Sequence, residues 1–237
     1  MKEQVKSKQR VADHGEVFTA EREVNAMCDL VSDECQRIDS RFLEPACGDG
    51  NFLAEILKRK LSVVRKKYKK CSFDYERNAI LALTSIYGVD ILADNAISCR
   101  KRLFAIWDKE YTSCCKGDAN DETRAAAQYI LEANIVCGNA LSMMCVDENQ
   151  QDTDNPIIFA EWTFPLNDAR IQRRDFRLDV LLKENKDEEF YDGQFSLFGT
   201  DAMGFDNWMI DPVTNKLVPK PVQEYPLINY RRIAENG

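Results

Sequence analysis

Between residues 51 and 64 the apolar side chains Phe52, Leu53, Ile56, Leu57, Leu61 and Val64 recur mainly at spacings of three and four. That period puts them on one face of a helix, predicted from Asn51 to about Lys70. The same period runs through Val24, Met27, Leu30 and Val31, and predicts a helix from about Ala20 to Ile38 with Thr19 as its cap. Further helices are predicted over Tyr75 to Leu83, over Asp94 to Tyr111, and near Thr123 to Glu132. Short apolar runs separate them. Arg41 to Glu44, Ser85 to Asp90 and Asn134 to Cys137 read as strands, and Pro156 to Trp162 as a fourth. Strands alternating with helices predict an α/β fold, a mainly parallel sheet with helices on both faces.

Beyond residue 165 the pattern weakens. Asp175 to Leu182 reads as a short helix, Lys183 to Gly193 as an exposed acidic segment. Prolines 212, 219, 221 and 226 then predict extended, loop-like chain. The expected organisation is one domain over residues 1–165 and an irregular C-terminal extension over 166–237. A hydrophobic fraction of 44% supports a core of that size.

Composition narrows the setting. A net charge of −8 argues against a protein that coats DNA, and leaves room for a local basic face. Lys66, Lys67, Lys69 and Lys70 read either as a solvated helix end, where cations oppose the helix dipole, or as a phosphate contact. The chain shows no signal-peptide pattern and no run long enough for a membrane helix. Nine scattered cysteines without a C-x-x-C pair, and one histidine (His14), predict no zinc centre and a reducing, cytoplasmic location.

The chemistry concentrates at three predicted strand ends, which a parallel sheet brings to one edge. The first is Glu44-Pro45-Ala46-Cys47-Gly48-Asp49-Gly50-Asn51-Phe52, where two glycines let the backbone pass close to a ligand at a helix start. It is neither GxGxxG nor a Walker loop. The second is Asp90, which could accept both hydroxyls of a ribose or simply cap a helix, followed by Ile91, suited to an adenine face. The third is Asn139, whose amide can donate and accept at an adenine edge.

Upstream stands His14-Gly15-Glu16-Val17-Phe18-Thr19. This segment, the glycine loop, the acid and the third-strand amide come in the order of the N6-adenine-specific DNA methyltransferases, which the chain resembles over about residues 11 to 165. It is similar to the methylation subunits of restriction-modification systems. The resemblance implies a Rossmann-like S-adenosylmethionine-dependent methyltransferase fold with a truncated or irregular C-terminal part. It also implies a cofactor site lined by Phe18, Thr19, Glu44, Ala46, Gly48, Asp49, Asp90, Ile91 and Asn139. Asn139 replaces the family's usual acid.

The implied activity is methylation of adenine in DNA, by this chain or with a partner subunit, in a bacterial restriction-modification or mobile-element context. The alternative is an inactive cofactor-binding scaffold or regulator. The family's catalytic motif, Asn or Asp followed by Pro-Pro and an aromatic, is missing from this sequence. Asn155-Pro156 and Glu161-Trp162-Thr163-Phe164-Pro165 come nearest. They make Asn155 and Glu161 candidates to accept from an amino group, and Trp162 and Phe164 candidates to stack on a flipped base or to fill the core. Arg170, Arg173, Arg174 and Arg177 read as a phosphate contact or as ion pairs with Asp168, Asp175 and Asp179. Finally, Gln194-Phe195-Ser196-Leu197-Phe198 reads either as a buried strand or hydrophobic latch, or as a docking peptide, since it resembles the one with which bacterial proteins dock on the replication sliding clamp. Gln194 would bond at the groove edge, and Leu197 and Phe198 would anchor.

Overall fold

The computed structural model describes Arg10 and residues 19–182, 207–212 and 214–235. Phe18 and the 194–198 peptide lie outside the described residues. The fold is mixed α/β. A five-stranded sheet runs in the order β1 (Phe42–Glu44), β2 (Ile86–Asp90), β3 (Ile135–Asn139), β4 (Met144–Val146) and β5 (Asp152–Pro156). The first three strands are parallel and the last two antiparallel. The sheet is therefore mixed rather than mainly parallel, because the short turn after Asn139 returns the chain beside β3 with no room for a crossover helix.

The helical expectations hold with shifted ends. Glu21–Leu30 (α1) and Ser32–Gln36 (α2) replace the single helix predicted there, with the break at Val31, which leaves the helical region at ψ 34. Thr19 does not cap α1; its N-cap is Ala20, without a side-chain bond. Asn51–Tyr68 (α3) and Ser72–Thr84 (α4) link β1 to β2. Ala93–Cys115 (α5) and Asp121–Asn134 (α6) link β2 to β3, and Asn120 caps α6 by accepting the Thr123 N–H at 2.8 Å.

Alternate residues of β2 face opposite sides. Gly88 lies against Cys47 and Leu53, and Ile86 belongs to the large core shared with the helices. Tyr87 and Val89 belong to a second cluster with Ile157, Phe159 and Leu178. That other face is covered, among the described residues, by an antiparallel pair, β6 (Ile158–Thr163) and β7 (Arg170–Arg177), and by the single-turn α7 (Leu178–Leu181), with no second helical layer. The helix expected over Asp175 to Leu182 is thus half strand. The loop-like tail carries β8 (Trp208–Ile210), β9 (Leu217–Pro219), β10 (Gln223–Glu224) and β11 (Ile228–Asn229), then a 3-10 turn over Tyr230–Glu235. Residue 165 falls in the turn between two paired strands, and Tyr230 and Ile233 join the main core.

Two buried ionic groups hold this arrangement. Lys60, fully buried on α3, donates to the Ile38 carbonyl at 3.1 Å, to the Ser40 carbonyl, and to Ser85 Oγ at 2.6 Å. It so ties the chain entering β1 to the chain entering β2. Three oxygens match three ammonium donors, yet burial outweighs them and pulls the Lys60 pKa down to about 8. Glu76, buried on α4, accepts from the hydroxyls of Tyr230 and Tyr111, each at 2.6 Å, and from Arg231 Nε at 2.7 Å. That carboxylate pins the C-terminal turn to the helical layer.

Candidate functional site

The three parallel strands end on one edge, and a cavity of about 560 Å³ opens there. Its shape depends on the turn after β1. Cys47 N–H donates to the Val89 carbonyl at 2.9 Å, and Gly50 N–H to the Cys47 carbonyl at 2.8 Å. Gly48 and Gly50 have φ of 52° and 82°, a region that side chains with a Cβ disfavour. A Cβ on Gly50 would stand 2.7 Å from Cys99 Sγ on α5, so the loop must pass that helix bare.

Asp90 holds the turn from the next strand. Its Oδ2 accepts the Gly48 N–H at 2.8 Å, and its Oδ1 accepts the Leu92 N–H at 2.9 Å and Asn95 Nδ2 at 3.2 Å. An ionised carboxylate offers about four acceptor positions, and three are taken. Asp90 therefore organises the glycine loop and the start of α5, and has about one position left for a ligand instead of the pair that two hydroxyls need. Asn139 is engaged too. Its Nδ2 donates to Asp152 at 3.0 Å, and its Oδ1 accepts the Leu141 N–H at 3.0 Å.

Of the nine residues expected at the cofactor, Thr19, Glu44, Ala46, Gly48, Asp90, Ile91 and Asn139 line this cavity. Asp49 does not; it turns to α5 and pairs with Arg102 at 3.2 Å. Val24, Met27, Phe52, Leu92, Asn95 and Leu141 also line it. The stripe of Val24 and Met27 carries the same helical period as a core face, and Asn95 sits in the first turn of a helix, so neither stood out from the pattern. Burial raises the Glu44 pKa, against a hydrogen bond from the Ala46 backbone that lowers it. A hydrogen bond with Cys99, followed by burial, pushes the Cys47 thiol far up, so the cavity presents a neutral thiol there.

The catalytic candidates lie elsewhere, because β6 runs against the direction of β1–β3. Its start is tied to the cavity edge, with the Ile157 N–H donating to the Met143 carbonyl at 2.9 Å. Its end reaches the opposite edge, where Trp162 Nε1 donates to Asn134 at 2.9 Å and Glu161 pairs with Arg41 at 2.7 Å. Asn134 and Arg41 precede β3 and β1. A parallel fourth strand would have carried Glu161 to Phe164 to the cavity; the observed direction carries them away. Trp162 is core, and Phe164 packs edge-on against Tyr230. Burial opposes ionisation of Glu161, but its bonds and charges from Arg41 and Arg174 prevail and lower its pKa. Asn155 lies exposed in β5 and does not line the cavity. The four arginines are in ion pairs: Arg170 with Asp168, Arg173 with Asp175, Arg174 with Glu161 and Arg177 with Asp179.

Fold and site together define an α/β protein with a ligand-sized cavity at the carboxyl ends of parallel strands. Comparison with family models, with curated proteins and with solved structures finds no match. Among the described residues no helix is long and apolar enough to cross a membrane.

Proposed function

We propose that the cavity binds S-adenosylmethionine. The chain then serves as an N6-adenine DNA methyltransferase of Rossmann-like fold, or as the cofactor-holding subunit of one, in a bacterial restriction-modification or mobile-element setting. One observation carries the reading. Seven residues chosen from motifs on four separate stretches of chain line a single cavity of about 560 Å³. That size suits a nucleoside-bearing cofactor. In this reading Thr19 borders the methionine part, Ile91 lies on the adenine face, and Asn139 meets the adenine edge. The open acceptor position of Asp90 takes one ribose hydroxyl.

The second reading, a cofactor-binding scaffold without catalysis, is favoured by a specific fact: Asn155, Glu161, Trp162 and Phe164 all lie outside the cavity lining. Transfer to adenine would then need acceptor and stacking groups from a partner subunit. Calorimetry tests the common part. The chain is expected to bind S-adenosylmethionine with a Kd on the order of 1–100 μM. Ala46→Trp, which fills the cavity from an exposed position, should abolish binding with little change in Tm. Failure of the wild-type chain to bind sinks both readings. Tritium transfer to mixed DNA, with and without candidate partner subunits, then separates them. Docking of Gln194, Leu197 and Phe198 on the sliding clamp is a separate proposal, carried by the peptide sequence alone. Deleting Leu197 and Phe198 should abolish binding to purified clamp.

A further inference from the structure

A second cavity, of about 460 Å³, opens on the sheet face opposite the helices. Its apolar part is lined by Phe42, Leu43, Tyr87, Phe159, Phe176 and Leu178. Strand β1 forms one rim. It pairs with β2 on one side, and among the described residues no strand pairs with its other side. The Phe42 N–H donates inward, to the Ser85 carbonyl at 2.9 Å. Backbone groups alternate in direction along a strand, so Leu43 aims its N–H and C=O at the open side. Its side chain stands opposite Tyr87 in the register, on the cavity face, and is 39% exposed.

The polar lip is incomplete in a particular way. Arg41 and Arg174 share one carboxylate, that of Glu161. Arg174 Nε is buried and, among the described residues, has no hydrogen-bond partner. Asp211, which also lines the cavity, accepts the Thr214 N–H at 3.0 Å. Two guanidinium groups on one acid, one of them with a buried N–H that lacks an acceptor among the described residues, call for a further negatively charged oxygen.

We propose that this edge and cavity form a docking site for an extended segment of a partner protein. The segment adds a strand to β1, buries an apolar side chain in the cavity, and sets a carboxylate two residues along against Arg41 and Arg174. Each part of the site selects one part of the occupant. The open backbone of Leu43 takes an extended chain, not a helix. The aromatic lining takes an apolar side chain. Side chains two residues apart share a strand face, so the acid falls on the same side as the apolar anchor. The inference does not depend on what the first cavity binds.

The test uses the full, isotope-labelled chain and a blocked hexapeptide, acetyl-Thr-Val-Phe-Val-Glu-Thr-amide. In the free chain the Leu43 amide should exchange with solvent without protection. Saturating peptide should slow that exchange at least about tenfold. Changing the peptide's Glu to Gln, or Arg174→Gln in the chain, should weaken binding about tenfold, and N-methylation of the peptide backbone should abolish it. Circular dichroism of the Arg174→Gln chain should match the parent, which separates lost binding from lost folding. Three results overturn the proposal. One is a Leu43 amide already protected in the free chain, which means the edge is taken, whether by a second copy or by the chain itself. Another is no binding up to roughly 1 mM peptide. The last is binding indifferent to N-methylation and to Arg174→Gln.

Discussion

Replacing Gly50 by alanine tests whether the glycine loop is held by α5. Gly50 has φ of 82°, where an L-residue costs roughly 1–2 kcal/mol. The new Cβ would stand 2.7 Å from Cys99 Sγ, and Cys99 is fully buried and cannot swing away. Overpacking of that kind costs about 1–3 kcal/mol, so the sum is about 2–5 kcal/mol. With a urea slope of about 3 kcal/mol/M, the unfolding midpoint should fall by about 0.7–1.7 M. Gly117→Ala is the control, since nothing lies within 4 Å of a Cβ there; its effect should stay within about 0.5 kcal/mol. Adding Cys99→Ala to Gly50→Ala removes the sulfur and leaves the nearest atom at 3.4 Å. The double variant should recover the steric part, a coupling of about 1–3 kcal/mol, and keep only the backbone strain. If Gly50→Ala costs no more than Gly117→Ala, or if the two changes at 50 and 99 simply add, the loop does not pack against α5 as described.

Two further outcomes concern the buried ionic groups. Lys60 has a folded pKa of about 8 against 10.5 unfolded, so between those values the unfolded chain binds more protons and stability rises with pH. The stability difference between the wild-type chain and Lys60→Met, from urea titrations, should grow by roughly 3 kcal/mol from pH 8 to 10.5, and a flat difference refutes the burial of the amine. Glu76→Ala leaves the Tyr111 and Tyr230 hydroxyls and Arg231 without their acceptor, and should cost about 3–5 kcal/mol. Hydrogen exchange should show the 230–235 turn released first; equal protection in variant and parent would contradict the pinning role.

The elements most legible in the chain are those set by neighbours. The three- and four-residue spacing of Leu53, Ile56, Leu57, Leu61 and Val64 needs no distant partner to define a helix face, and all five are buried on α3. Gly48 and Gly50 mark a turn because their conformations are a local matter. Lys60 lay on that same buried face and was invisible, since its three acceptors come from the segments before β1 and β2. Asp90 was readable as a polar strand end. That its carboxylate is already spent on Gly48, Leu92 and Asn95 depends on how two loops meet.

Direction is the property that only the tertiary structure decided. An apolar run such as Ile158 to Trp162 reads the same whichever way it crosses a sheet, because alternation carries no sign. Pairing with β7, together with the short return after β3, fixes β6 against β1–β3 and moves Glu161, Trp162 and Phe164 to the far edge. The sequence by itself determined three strand–loop units whose ends share an edge, and hence Glu44, Ala46, Gly48, Asp90, Ile91 and Asn139 around one cavity, whereas Thr19 was expected there through the resemblance alone. It could not determine what faces them across that cavity, because that rests on contacts between segments far apart in the chain, where local pattern has no hold.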